Sequence, residues 1–224
     1  MDDHDAANAA ERLDAVTGRL ARAARSVGRD PSRIELVAVS KTFDIASIAP
    51  LVAAGHRSFG ENRVAEAQDK WPALVAATPD IRLHLVGQLQ SNKAAEAAAL
   101  FDVIHSVDRP SLITALGKAM ASSGKRPECF IQVNIGGEAQ KGGCAIADLP
   151  AMVAAARAAD LPVIGLMCVP PADIEPAPFF ALLAELARRH DLPALSMGMS
   201  SDFETAAMLG ATMVRVGSAL FGTR

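Results

Sequence analysis

Residues 34–41 read Ile34-Glu35-Leu36-Val37-Ala38-Val39-Ser40-Lys41, and a short turn later comes Asp44-Ile45-Ala46-Ser47. The first seven residues are a short apolar run rich in branched side chains, the pattern of a buried strand, and Asp44 opens a helix. A buried strand that passes directly into a helix is the repeating unit of a parallel α/β fold. Lys41 is thereby placed at the carboxyl end of the strand. An amine there is expected to be partly desolvated, which disfavours the ammonium form and frees a nucleophilic lone pair for carbonyl chemistry. A lysine that snorkels to water from a strand end fits the same placement.

The unit recurs along the chain. Short apolar runs at 34–40, 57–60, 83–87, 103–107, 129–134, 163–169, 194–197 and 213–217 alternate with amphipathic helical stretches. Asp108 with Pro110 and Asp148 with Pro150 read as cap-plus-proline helix starts, and Ser201-Asp202-Phe203-Glu204 has the form of a capping box. Eight such units close a (β/α)₈ TIM barrel. An alanine-rich stretch at 6–27, with Leu13, Val16 and Leu20 at helical spacing, adds a helix in front. Residues 1–33 are then a lead-in to a single barrel domain spanning 1–224. About 24 residues per unit, in a fold that typically takes about 250, leaves short loops and no room for a second domain. The alternative, an open doubly wound sheet, lacks its usual GxGxxG after the first strand.

Composition narrows the partners. The 224 residues are 50% hydrophobic and 21% charged with a net charge of −3, so no basic surplus points to nucleic acid. The start, Met1-Asp2-Asp3-His4-Asp5, is acidic where a signal peptide would be basic. No apolar stretch reaches the roughly 18 residues of a spanning helix, so a cytoplasmic protein without membrane attachment is expected. Cys129, Cys144 and Cys168 are too few and scattered for a disulfide framework or a CxxC site, and the five histidines show no HxH or HExxH spacing. Reduced thiols and no metal are expected. The chain contains no tyrosine.

In a barrel the active site lies at the carboxyl ends of the strands, and polar and glycine residues collect there: Lys41, Glu61-Asn62, Gln88, Ser200-Ser201 and Gly217-Ser218. Barrels commonly bind phosphate with the loops after strands seven and eight. Here Gly198-Met199-Ser200-Ser201 and Gly217-Ser218 offer a hydroxyl and backbone amides for a dianion. Ser201 also suits an N-cap, and Gly217 and Ser218 also suit a plain strand end and helix cap. Arg215 alternates with apolar Val214 and Val216, so its charge is aimed at the barrel interior or at the helix layer and needs an acceptor. A ring nitrogen, a phosphate, Asp202 or Glu204 would serve. Asn62 reads either as the N-cap of a helix over 63–77 or as a contact to a ring hydroxyl. His84, inside an apolar strand, reads as a satisfied core histidine or a base. Met167, Met197 and Met199 read as packing, and Cys168 as an inert thiol.

Several segments carry a family resemblance. Phe59-Gly60-Glu61-Asn62, His84-Leu85-Val86-Gly87-Gln88-Leu89-Gln90-Ser91-Asn92-Lys93, Val133-Asn134-Ile135 with Glu138 and Lys141, Gly165-Leu166-Met167, Leu195-Ser196-Met197-Gly198-Met199-Ser200 and Val214-Arg215-Val216-Gly217-Ser218-Ala219-Leu220-Phe221-Gly222 resemble the pyridoxal phosphate homeostasis proteins, in the family's order from about residue 34 to the end. The resemblance implies a barrel like the alanine racemase N-terminal domain, with pyridoxal 5'-phosphate carried by Lys41 as a lysine aldimine. It further implies that Ser200, Gly217 and Ser218 hold the phosphate, that Arg215 approaches the pyridine nitrogen and that Asn62 with His84 lines the ring. It implies a role in vitamin B6 balance without established catalysis.

Alanine racemases pair the lysine with a tyrosine from a second domain, and this chain has neither. An arginine at the pyridine nitrogen would also weaken the ring as an electron sink. Holding and transfer of the cofactor therefore fit better than turnover, with a one-base amino-acid racemase or a Schiff-base aldolase as the alternatives. The expected partners are pyridoxal phosphate and, for delivery, dependent apoenzymes, with the chain acting as a monomer. Lys93 and Lys141 read as solvated loop and helix-start residues or as secondary reactive lysines.

Overall fold

A computed structural model of the chain describes residues 3–222. Eight strands form, each within two residues of the bounds read from the apolar runs: β1 (Glu35–Val39), β2 (Ser58–Glu61), β3 (Arg82–Leu85), β4 (Val103–Val107), β5 (Glu128–Gln132), β6 (Val163–Met167), β7 (Ala194–Ser196) and β8 (Met213–Val216). They pair in parallel in sequence order, and β8 returns to β1 with Glu35 opposite Met213 and Ala38 opposite Val216, so the sheet closes into a barrel. The helices are α1 (Asp3–Ser26), α2 (Ile45–Ala53), α3 (Val64–Lys70), α4 (Pro72–Ala77), α5 (Ala94–Leu100), α6 (Pro110–Ser123), α7 (Leu149–Ala158), α8 (Ala177–Arg189), α9 (Phe203–Met208) and the short α10 (Ser218–Phe221).

Local chemistry accounts for most boundaries. Asp44 caps α2 as its sequence suggests, accepting from the Ser47 amide at 2.9 Å. The single helix expected over 63–77 is instead two, because Pro72 has no amide to donate and restarts the chain after Trp71. The capping box at 201–204 does not form. Asp202 accepts from the Met199 amide at 2.6 Å and Glu204 turns away to pair with Arg19 at 2.7 Å. Nor do Asp108 and Asp148 make side-chain caps; proline alone marks those starts.

The alternation of strand side chains produces two cores. Outward residues such as Leu36, Ala38, Phe59, Leu83, Ile104 and Ile131 pack under the helices in one continuous cluster. Inside the barrel only Val103, Phe130, Met167 and Met213 form a second apolar cluster. The interior is otherwise taken by buried polar groups, among them His84, His105, Ser196 and Arg215. α1 packs on α2, α9 and α10, across the seam where β8 meets β1. Arg12 Nε of α1 donates to the Leu220 carbonyl of α10 at 2.6 Å, and Arg29 Nη2 donates to the Ala211 carbonyl at 2.8 Å. No described helix is long and apolar enough to cross a membrane.

Candidate functional site

The carboxyl end of β1 is held from both sides. Ser40, fully buried, donates its hydroxyl to Glu61 Oε1 at 2.7 Å, and Lys70 Nζ reaches both the Ser40 carbonyl (3.1 Å) and Glu61 Oε1 (2.9 Å). Trp71 Nε1 donates to the same Glu61 oxygen at 3.0 Å. On the other side Thr42 has a φ of 67°, in the left-handed region that a β-branched residue avoids. Its amide is tied to Glu66 Oε1 at 2.6 Å. Conformations of this kind cost about 1–3 kcal/mol and persist where surrounding contacts over-determine them. The backbone on both flanks of Lys41 is thus set by α3 and the end of β2.

Lys41 lies on the wall of a cavity of about 570 Å³ at the barrel mouth, within the about 300–1,000 Å³ usual for ligand pockets. Its residue is exposed, so the partial desolvation expected from the strand pattern is not supplied by the protein itself. The Lys41 amine makes no hydrogen bond or ion pair among the described residues. By contrast Lys93 is paired with Glu96 at 2.9 Å, and Lys141 with Glu138 (2.6 Å) and the Pro170 carbonyl (2.8 Å).

Asn62, Ser200, Arg215, Gly217 and Ser218 line the same cavity as Lys41. Asn62 does not cap a helix, since α3 begins after Arg63. It is backed by Gly87, where a Cβ would come within 2.2 Å of the Asn62 carbonyl oxygen, so glycine allows β2 and β3 to approach here. Gly198, at φ +93°, turns the chain after β7 and presents Ser200 to the cavity. Ser200 Oγ accepts from the Gly217 amide at 3.3 Å, and α10 begins at the next residue. The loops after β7 and β8 therefore meet at one point. Ser201 also lines the cavity and caps nothing; Met199 is at the wall rather than packed within, whereas Met167 and Met197 are buried.

Arg215 is 5% exposed and donates from Nη1 to Ser196 Oγ at 2.5 Å and from Nη2 to the Cys168 carbonyl at 2.9 Å. Neither Asp202 nor Glu204 serves as its acceptor. It makes no ion pair among the described residues, and burial pushes its pKa down. His84 is not on the cavity wall. It lies fully buried in the barrel, its Nδ1 at 3.0 Å from His105 Nε2 and its Nε2 at 3.0 Å from Ser58 Oγ. Both ring nitrogens are thus partnered within the barrel, as in a satisfied core histidine. Burial raises the thiols of Cys129 and Cys168 to about 12 and that of Cys144 to about 11.

Three residues escaped the sequence reading. Glu61 was visible only as a strand end, although a carboxylate at an outward position of a buried strand followed by Lys70-Trp71 signals a paired charge. Glu35 and His105, both on inward strand positions, likewise pointed to polar filling of the barrel.

A family profile described as alanine racemase, N-terminal domain, matches residues 12–224. The chain is 41% identical over 221 residues to the pyridoxal phosphate homeostasis protein of Pseudomonas aeruginosa, covering 96% of this chain and 95% of that protein. It is 37% identical over 227 residues to the protein of the same name from Escherichia coli K12, covering 96% of each. Among solved structures, PipY of Synechococcus elongatus with PLP bound superimposes with a TM-score of 0.79 at 38% identity, covering 96% of this chain and all of that one. Alanine racemase from Corynebacterium glutamicum, at 21% identity and a TM-score of 0.64 over 95% of this chain and 62% of its own, shares the fold. The closed parallel barrel and these full-length similarities together show that the chain belongs to the pyridoxal phosphate homeostasis protein family, within the alanine racemase N-terminal domain fold.

Proposed function

We propose that the protein holds pyridoxal 5'-phosphate at the barrel mouth and contributes to vitamin B6 balance by keeping and releasing it. The observation that carries this reading is the unpaired Lys41 amine on the same cavity wall as Arg215 and the Ser200–Gly217 contact. When bound, the cofactor supplies an aldehyde that condenses reversibly with a primary amine and a phosphate that anchors it. The chain's own groups suit it. Lys41 offers the amine. Ser200 and the amides of Gly217 and Ser218 offer donors to the phosphate, the Gly217 amide exchanging its contact with Ser200 Oγ for it. A Cβ at Gly217 would sit 3.2 Å from the Val39 carbonyl oxygen, so the small residue keeps this corner of the site open. Arg215 uses two of its five N–H groups internally and can only donate, which suits an unprotonated ring nitrogen. Asn62 stands on the wall beside them.

Nothing in the chain supplies a tyrosine as a second base, which favours holding over racemisation. In this reading residues 1–224 act as one barrel domain and a monomer in the cytoplasm, passing the cofactor to dependent apoenzymes. Three free, buried cysteines are consistent with a reducing compartment. The purified protein incubated with pyridoxal phosphate should show a visible absorption band that borohydride bleaches and Lys41→Ala lacks. Mass spectrometry of the reduced protein should find the label on Lys41 rather than on Lys93 or Lys141. No band, or an unchanged one in Lys41→Ala, would overturn the reading, and rapid loss of α-deuterium from amino acids would reassign the protein as a racemase.

A further inference from the structure

Arg215 presents a problem of charge. Its guanidinium is buried at the cavity floor with no carboxylate among the described residues in ion-pair contact, Asp202 acting on it only from further off, and a buried cation needs compensation. The barrel interior supplies a continuous path to one. Arg215 Nη1 donates to Ser196 Oγ at 2.5 Å; Ser196 Oγ lies 2.7 Å from His105 Nδ1; His105 Nε2 lies 3.0 Å from His84 Nδ1; and His84 Nε2 lies 3.0 Å from Ser58 Oγ and 3.2 Å from Glu35 Oε1. Ser58 also donates to Glu35, and Glu35 pairs with Arg82 at 2.7 Å at the opposite end of the barrel.

Donor chemistry joins each member of the chain to the next. Arginine only donates, so the Ser196 oxygen accepts from it while also contacting His105 Nδ1. His105 is fully buried, and burial, reinforced by His84, Arg215 and Arg82, drives its pKa well below the ordinary value, so it is neutral. A neutral imidazole donates from one ring nitrogen and accepts at the other, so His105 links Ser196 to His84 in either tautomer. His84 then donates from Nε2 toward Ser58 and Glu35. The contacts run without a break from the cation at the mouth to the carboxylate at the far end, and hydrogen-bond chains of this kind strengthen one another in a low-dielectric interior.

We infer that Ser196, His105, His84 and Glu35 are positioning residues that act through Arg215, fixing its guanidinium at the floor of the cofactor cavity and linking it to a counter-charge at the other end of the barrel. This rests on the proposal that pyridoxal phosphate occupies the cavity. The test is a double-mutant cycle on the release rate of bound pyridoxal phosphate and on its absorption maximum. Ser196→Ala removes the first link and Glu35→Gln removes the terminal charge while keeping its shape, each made in the native chain and in Arg215→Gln, with thermal melts to identify folded variants. Each should speed release about fivefold and move the absorption maximum in the native chain, yet change neither by more than about twofold or a few nanometres when Arg215 is already Gln, which is coupling of the size seen within one network. Equal effects in both backgrounds, no effect in either, or an effect of Ser196→Ala without one of Glu35→Gln would overturn the relay. A native chain that retains no cofactor would instead overturn the functional proposal on which it rests.

Discussion

Glu35 gives the sharpest energetic test. Its carboxylate at the amino end of β1 is largely buried, and burial alone would raise its pKa. The hydrogen bond and charge of His84, the Ser58 hydroxyl and Arg82 outweigh burial and hold it at about 2, against an ordinary 4.5. At about 1.4 kcal/mol for each tenfold change in proton affinity, that difference amounts to about 3 kcal/mol of folding stability. Because the folded value is depressed, the stabilisation is fully present above the unfolded value near 4.5 and is lost as pH falls through about 2. Urea melts of the native chain and of Glu35→Gln between pH 2 and pH 6 read it directly. Other carboxylates titrate in both proteins, so the difference between them isolates Glu35. The native chain should be more stable by about 3 kcal/mol at pH 6, with the gap closing toward pH 2. A gap that stays constant across this window, or stays below about 1 kcal/mol at pH 6, would refute the account of Glu35 as a paired buried charge.

Other outcomes follow from the same geometry. With thiols at about 11 to 12, none of Cys129, Cys144 and Cys168 should react with an aromatic disulfide reagent at pH 8 in the folded protein, and all three should react in denaturant. Glu61→Gln weakens three interactions at a buried point and should cost about 2–4 kcal/mol in chemical denaturation, a loss that Ser40→Ala alone would not match. Ser200→Ala combined with Gly217→Asp should speed pyridoxal phosphate release while circular dichroism stays unchanged, and unchanged retention would remove the phosphate assignment from these loops.

The eight short apolar runs, from 34–40 to 213–217, were sufficient to define the barrel, because the outward face of every strand must be apolar to pack under the helices even where the inward face is polar. Chain direction in a barrel located the rim, and Lys41, Asn62, Ser200, Gly217 and Ser218 from it line one cavity, joined there by Arg215 from within β8. Local signals did less well where a distant partner competed. Glu204 left its capping box for Arg19 on α1, and Asp202 for the Met199 amide, because nothing within residues 201–204 encodes those neighbours.

What the sequence by itself determined is the order of elements and the end of the barrel at which the polar groups gather, both consequences of periodicity and chain direction. Only the tertiary structure decided the environment of each group. Lys41, read as partly desolvated, stands exposed at the mouth, while Glu61, read as a rim residue, is fully buried with Lys70 and Trp71. His84 and Arg215 both point into the barrel, yet one is sealed in the interior and the other reaches the cavity floor. That distinction depends on how far along the barrel axis each strand is staggered, and the stagger is set by pairing between strands far apart in the chain.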